Sequence, residues 1–117
     1  MKLETLRDYL LQKKGSTEEM PFGPEVLVFK VMGKMFALVS WQATPLKISL
    51  KCDPMEALFL RDMYTAVTPG YHLDKRHWNT ITLDGSVPET DLYRMIDDSY
   101  ILVAQSLKKA DRDFLLL

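Results

Sequence analysis

A chain of 117 residues with 15 lysines and arginines against 16 aspartates and glutamates carries a formal net charge of −1, which argues against a general nucleic-acid coat protein. Its length implies one domain, residues 1–117, able to bury roughly two-thirds of the surface that the unfolded chain exposes. No apolar run approaches the roughly 18 residues of a membrane helix, the charged start Met1–Asp8 is unlike a signal peptide, and the lone Cys52 excludes an intrachain disulfide or a cysteine metal cluster, so we expect a cytoplasmic protein with no membrane partner.

Leu3, Leu6 and Leu10 recur at helical spacing and predict a first helix over residues 2–13, with Gly15 as its stop. Residues 15–24 are polar and bounded by proline and glycine, and so read as a loop. Two strands then flank Met32-Gly33, a short turn in which Gly33 can take positive φ. Pairing Val31 with Lys34 sets Phe29 opposite Phe36 and Leu27 opposite Leu38 on one large apolar face. The same register leaves Val26, Val28, Met35, Ala37 and Val39 on the other face. Residues 46–52 alternate: Leu46, Ile48, Leu50 and Cys52 point one way, Lys47, Ser49 and Lys51 the other.

Asp53-Pro54 opens a second helix, since Asp caps free N–H groups and Pro suits the first turn. It runs to about Tyr64, with Met55, Leu58, Phe59 and Met63 along one side. A loop over residues 65–74 leads to a strand at Trp78–Leu83, in which Ile81 and Leu83 pointing inward set Trp78, Thr80 and Thr82 outward with the lysines, and to a turn at Asp84-Gly85. Ser86 and Glu89 have capping-box spacing, and the longest helix follows with Leu92, Met95, Ile96, Ser99, Val103 and Leu107 as its buried stripe. The tail, residues 110–117, ends Phe-Leu-Leu-Leu and is expected to dock. The order α-β-β-β-α-β-α, with short turns between strands, predicts an α+β fold: a two-layer domain with an antiparallel sheet covered by helices on one face.

The densest chemistry is Tyr71-His-Leu-Asp-Lys-Arg-His-Trp78, which runs on through an alternating strand to Asp84-Gly85. This segment resembles the signature of the MmcQ/YjbR family of small, mostly bacterial proteins, with Tyr71, His72, Trp78, Asp84 and Gly85 as its structural marks. Residues 21–38, Pro-Phe-Gly-Pro through Met-Phe-Ala-Leu, are similar to that family's first hairpin, so the likeness spans nearly the whole chain. The resemblance implies a two-layer fold similar to that of secretion chaperones, no established biochemical activity, and DNA binding through wing-like loops. The nearest equivalents of those loops here are the Met32-Gly33 turn and the Lys75-Arg76 segment.

Catalysis is not expected, because no nucleophile elbow, phosphate loop, His-Glu-x-x-His or Cys-x-x-Cys occurs. His72 and His77 supply bases without a partner nucleophile, and Cys52 closes an apolar strand face as an unreactive thiol. Five residues apart, the two histidines fall on different sides of a helix or strand, so no metal and no cofactor is expected.

Two binding readings stand. Between Val26 and Lys51 the charged side chains are Lys30, Lys34, Lys47 and Lys51, whereas Asp84–Asp98 holds five acids against Arg94. Such segregation steers an anionic partner even at zero net charge. In the first reading, double-stranded DNA is the partner, with Lys30, Lys34, Lys47, Lys51, Lys75 and Arg76 on phosphates and His77 and Trp78 nearest bases or sugars. In the second, the apolar face of the hairpin, rich in Val and Met, holds a protein or peptide partner.

Overall fold

The computed structural model describes residues 1–116. Four helices and six strands follow in the order α1 (Leu3–Leu11), β1 (Ser16–Glu19), β2 (Val26–Val31), β3 (Lys34–Ser40), β4 (Lys47–Lys51), α2 (Pro54–Met63), β5 (Val67–Pro69), β6 (Trp78–Thr82), α3 (Glu89–Gln105) and α4 (Lys109–Phe114). The strands form one antiparallel sheet ordered β1-β2-β3-β4-β6-β5. Helices α1 and α3 bury their apolar residues in one core against one face of the sheet, and α2 packs beside them on β5 and β6. The α+β, two-layer expectation therefore holds, with β1, β5 and α4 added to the predicted order.

Both added strands are short edge strands within stretches that read as loops. Ser16-Thr-Glu-Glu19 has no apolar residue and alternates only in burial, with Ser16 and Glu18 half-buried. Its place is fixed by an ion pair, because Arg7 of α1 grips Glu18 through Nε and Nη2 at 2.6 and 2.7 Å. That partly buried fork raises the Arg7 pKa further, mainly through its hydrogen bond to Glu18. β5 is three residues ending in Pro69, which suits an edge.

The hairpin departs from its predicted register after two pairs. Val31 opposes Lys34 and Lys30 opposes Met35, but a β-bulge then sets Phe29 opposite Ala37 and Leu27 opposite Val39. Phe36 is the extra residue. Phe36 and Ala37 consequently both face the core, each 0% exposed. The second face of the hairpin loses Ala37 and Val39, and the apolar sheet face expected there shrinks to Val26, Val28, Met35 and Leu38. The turn itself matches: Met32 and Gly33 both take positive φ, 49° and 88°.

Where the bulge breaks the ladder, α3 completes it. The Ser99 hydroxyl donates to the Phe36 carbonyl at 2.6 Å and accepts the Lys51 N–H at 2.9 Å. Around it Leu92, Met95, Ile96, Tyr100 and Val103 of α3 are buried on the sheet, and Phe36 meets Tyr100 edge-on at 5.4 Å. Helix α3 starts at Glu89 with Pro88 at its cap, while Ser86 instead bonds Asp84 through N–H and hydroxyl, so the expected Ser86–Glu89 capping box does not form. From the tail, Leu115 reaches the core while Phe114 and Leu116 stay exposed; Leu117 lies outside the described residues.

Candidate interaction surfaces

Strand register places Lys47, Ser49 and Lys51 of β4 directly opposite Thr82, Thr80 and Trp78 of β6. That is the outward row expected from alternation, on the face away from the helices. Ser49 and Thr80 join their hydroxyls at 2.8 Å. The row is not open along its length, because the 70–77 loop folds back over it. Tyr71 N–H donates to Thr80 Oγ1 at 3.0 Å, and Gly70 N–H to the Trp78 carbonyl at 2.8 Å. A Cβ at Gly70 would stand 2.7 Å from that of Trp78, so the approach requires glycine. Trp78 is left 8% exposed. A ring so covered is part of the fold, and the base or sugar contact assigned to it has no open face to act through.

The cations disperse. Lys34 leaves the sheet side altogether and donates to the Ser106 carbonyl at 3.2 Å, at the C-terminus of α3, where the helix dipole favours a positive charge. Lys30 pairs with Glu19 at 3.4 Å. Lys75 staples its own loop, its Nζ 2.8 Å from the Gly70 carbonyl. Lys47, Lys51 and Arg76 donate no side-chain hydrogen bond among the described residues. His77 is half-buried, its carbonyl accepting Cys52 N–H at 2.7 Å. His72 and Tyr71 sit exposed at the loop tip, rings 4.0 Å apart, with His72 at φ 60°; neither enters the core with Trp78. Asp84 and Gly85 form an exposed turn in which hydrogen bonds from Ser86 hold the Asp84 carboxyl below its usual range.

A second surface went unrecognised in the sequence. The side of α2 carrying Met55, Leu58, Phe59 and Met63 faces solvent, with 74, 57, 56 and 52% exposure. Only Ala57 of this helix is buried. Asp53 caps it as expected, accepting N–H bonds from Met55 and Glu56 at 3.1 and 3.3 Å. Ala57 and the half-buried Leu60 turn inward, and polar contacts add to their hold on the sheet. Buried Asn79 donates to the Ala57 carbonyl at 3.3 Å and accepts from Arg61 Nε at 2.7 Å, and Arg61 also reaches the carbonyls of Lys75 and Trp78.

Because α2 rests on this network and does not close against α3, a groove of about 490 Å³ remains between them. Its floor is Leu50, Asn79 and Ile81, one wall is Phe59, Leu60 and Met63, and the other is Met95 and Leu102. Asp53, Glu56, Asp91 and Asp98 also line it, against Lys51 and Arg94. Arg94 pairs with Asp91, which also accepts the Tyr64 hydroxyl; that bond raises the Tyr64 pKa. Cys52 borders the groove half-buried, and burial, with Glu56, Asp53 and Asp98 adding to it, pushes its thiol up to about 11. The signal for this surface was in the sequence, as a Met- and Phe-bearing stripe on a helix, but a stripe alone does not say which side of the chain it serves.

Comparison with known proteins gives a consistent picture. The YjbR family model matches residues 11–102. The uncharacterised protein YjbR of Escherichia coli K12 is 32% identical over 116 residues, covering 99% of this chain and 98% of that one. The uncharacterised protein YbdF of Escherichia coli O157:H7 is 40% identical over 92 residues, 79% of this chain and 75% of its own. The crystal structure of Deinococcus radiodurans protein DR2400, with a DUF419 domain, superposes with a TM-score of 0.92 at 41% identity, covering 99% of this chain and 88% of that one.

Proposed function

The chain thus belongs to the YjbR family, and from that premise we propose that it is a non-enzymatic, protein-binding module that seats an apolar segment of a partner in the groove between α2 and α3. The observation that carries this reading is the outward stripe of α2. Four large apolar side chains at 52–74% exposure, continuous with a 490 Å³ apolar groove, form the kind of contiguous patch that marks an interaction site. Methionines at 55, 63 and 95 suit it to partners of varied shape. This keeps the protein-partner reading of the sequence but moves it from the sheet to the helices.

Binding to double-stranded DNA is the second reading, supported by Lys47, Lys51 and Arg76, whose side chains are uncommitted beside the Ser/Thr row. Three such cations imply a log–log salt slope of about −3 on duplex DNA, against about −5 for six. That is a weak, backbone-directed contact. The two readings separate in one experiment: selection from a displayed peptide library, with Phe59→Asp protein as counter-target, beside anisotropy titration of a labelled duplex. We expect enriched apolar peptides that lose binding on Phe59→Asp and keep it on Lys47→Ala with Arg76→Ala. Failure to enrich any peptide, together with duplex binding that the Lys47/Arg76 pair abolishes, overturns the proposal in favour of DNA.

A further inference from the structure

We infer that the groove's occupant is a cationic amphipathic helix of a partner protein, a deepening that rests on the segment-binding reading above. Length is the first argument. Phe59 and Met63 line the cavity, whereas Met55 and Leu58 lie beyond its mouth on the same exposed side of α2. Apolar surface therefore continues along a helix about 15 Å long, further than a pocket-sized molecule reaches. Backbone chemistry is the second. Side chains of two helices form the walls, so an extended peptide entering between them would leave its own N–H and C=O groups without partners. A helix satisfies those groups internally and presents only side chains, the mode by which amphipathic helices fill apolar grooves.

Charge supplies the sign. Arg94 is taken by Asp91, while Glu56 and Asp98 form no ion pair among the described residues, and Asp53 stands beside them at the start of α2. Lys51 is the one other cation on the lining. The rim is therefore net acidic around an apolar trough, the complement of a helix with a leucine-like stripe flanked by lysine or arginine. A second copy of this chain fits poorly. Pairing α2 with α2 about a two-fold axis would set Asp53, Glu56 and Asp62 of one copy near the same acids of the other.

The test uses two labelled helical peptides of about 14 residues with the same leucine stripe, one with lysine and one with glutamate at every other position. Anisotropy measures affinity, and amide shift perturbation in the labelled protein locates the site. The lysine peptide is expected to bind at least about tenfold more tightly than the glutamate peptide, to shift α2 and α3, and to weaken as salt rises. Glu56→Lys with Asp98→Lys should invert that preference, and Phe59→Asp, at a half-exposed site that leaves folding intact, should abolish both interactions. Equal affinities that Phe59→Asp removes would overturn the cationic assignment while leaving segment binding standing. Lysine-peptide binding unaffected by Phe59→Asp, no binding by either peptide, or a dimer of the protein alone that Leu58→Asp dissociates would overturn the proposal outright.

Discussion

Helices α2 and α3 carry apolar residues at the same helical spacing and turn them in opposite directions. The α3 stripe runs from Leu92 to Val103 and is buried on the sheet, whereas the α2 stripe from Met55 to Met63 lies in solvent. What seats α2 is a polar network joined to a narrow apolar edge: Arg61 and Asn79 hold it from beneath, with Ala57 buried and Leu60 half-buried against the core. Hydrophobic periodicity thus says that a helix has an apolar side; it does not say that the side belongs to this chain's core. The polar anchoring of α2 leaves its apolar residues in solvent.

Truncating one residue in each stripe should separate the two helices most widely. Ile96→Ala, at a fully buried site, should lower stability by about 2–5 kcal/mol. Leu58→Ala, at 57% exposure, should stay within about 0.5 kcal/mol. Urea midpoints measured side by side decide it, and equal losses would mean that α2 is seated by its apolar side after all. Next in size is the anchor itself. Arg61→Ala leaves the buried Asn79 oxygen and the Lys75 carbonyl without their Arg61 donor, and the Trp78 carbonyl with Gly70 N–H alone, a loss of about 1–3 kcal/mol. It should also raise hydrogen exchange in α2 and the 70–77 loop while leaving α3 protected; an unchanged α2 would show that the network is ornamental.

A smaller effect is expected in alkali. Cys52 is raised from an ordinary 9.0 to about 11 in the folded protein, so the native state holds a proton that the unfolded state has lost between those values. Stability from this group is complete below about pH 9 and declines as pH rises towards 11. Tyr9, raised by burial and by its hydrogen bond to Asp97 from 10.0 to about 12, extends the decline upward. Cys52→Ala should flatten the lower part of that curve of urea midpoint against pH. In the intact protein, alkylation by iodoacetamide should be slow near neutrality and accelerate above about pH 9. Rapid alkylation near pH 7 would contradict a raised thiol.

Much of the fold was legible because its signals were local. Alternation from Lys47 to Lys51, the Asp53-Pro54 cap and the α3 stripe each resolve into the element they predict. The misses share a different cause. No residue in Ser16–Glu19 announces a strand; pairing with β2 and the Arg7 fork on Glu18 create one from outside. The bulge at Phe36 is accommodated by Ser99, 63 residues away, whose hydroxyl stands where a backbone partner is lost. The candidate site divides the same way. Strand alternation placed Lys47, Lys51 and Trp78 on one face, but whether Trp78 was open depended on a loop folding back over it.

The Ser99 hydroxyl has a consequence for how the molecule comes apart. One helix side chain stands as a rung in the β3–β4 ladder, accepting from Lys51 and donating to Phe36. Parting the two strands at that end and lifting α3 off the sheet are therefore the same event. The Lys51 amide, near the end of its strand where fraying is ordinary, is expected to exchange with the longest helix and not with the strand end.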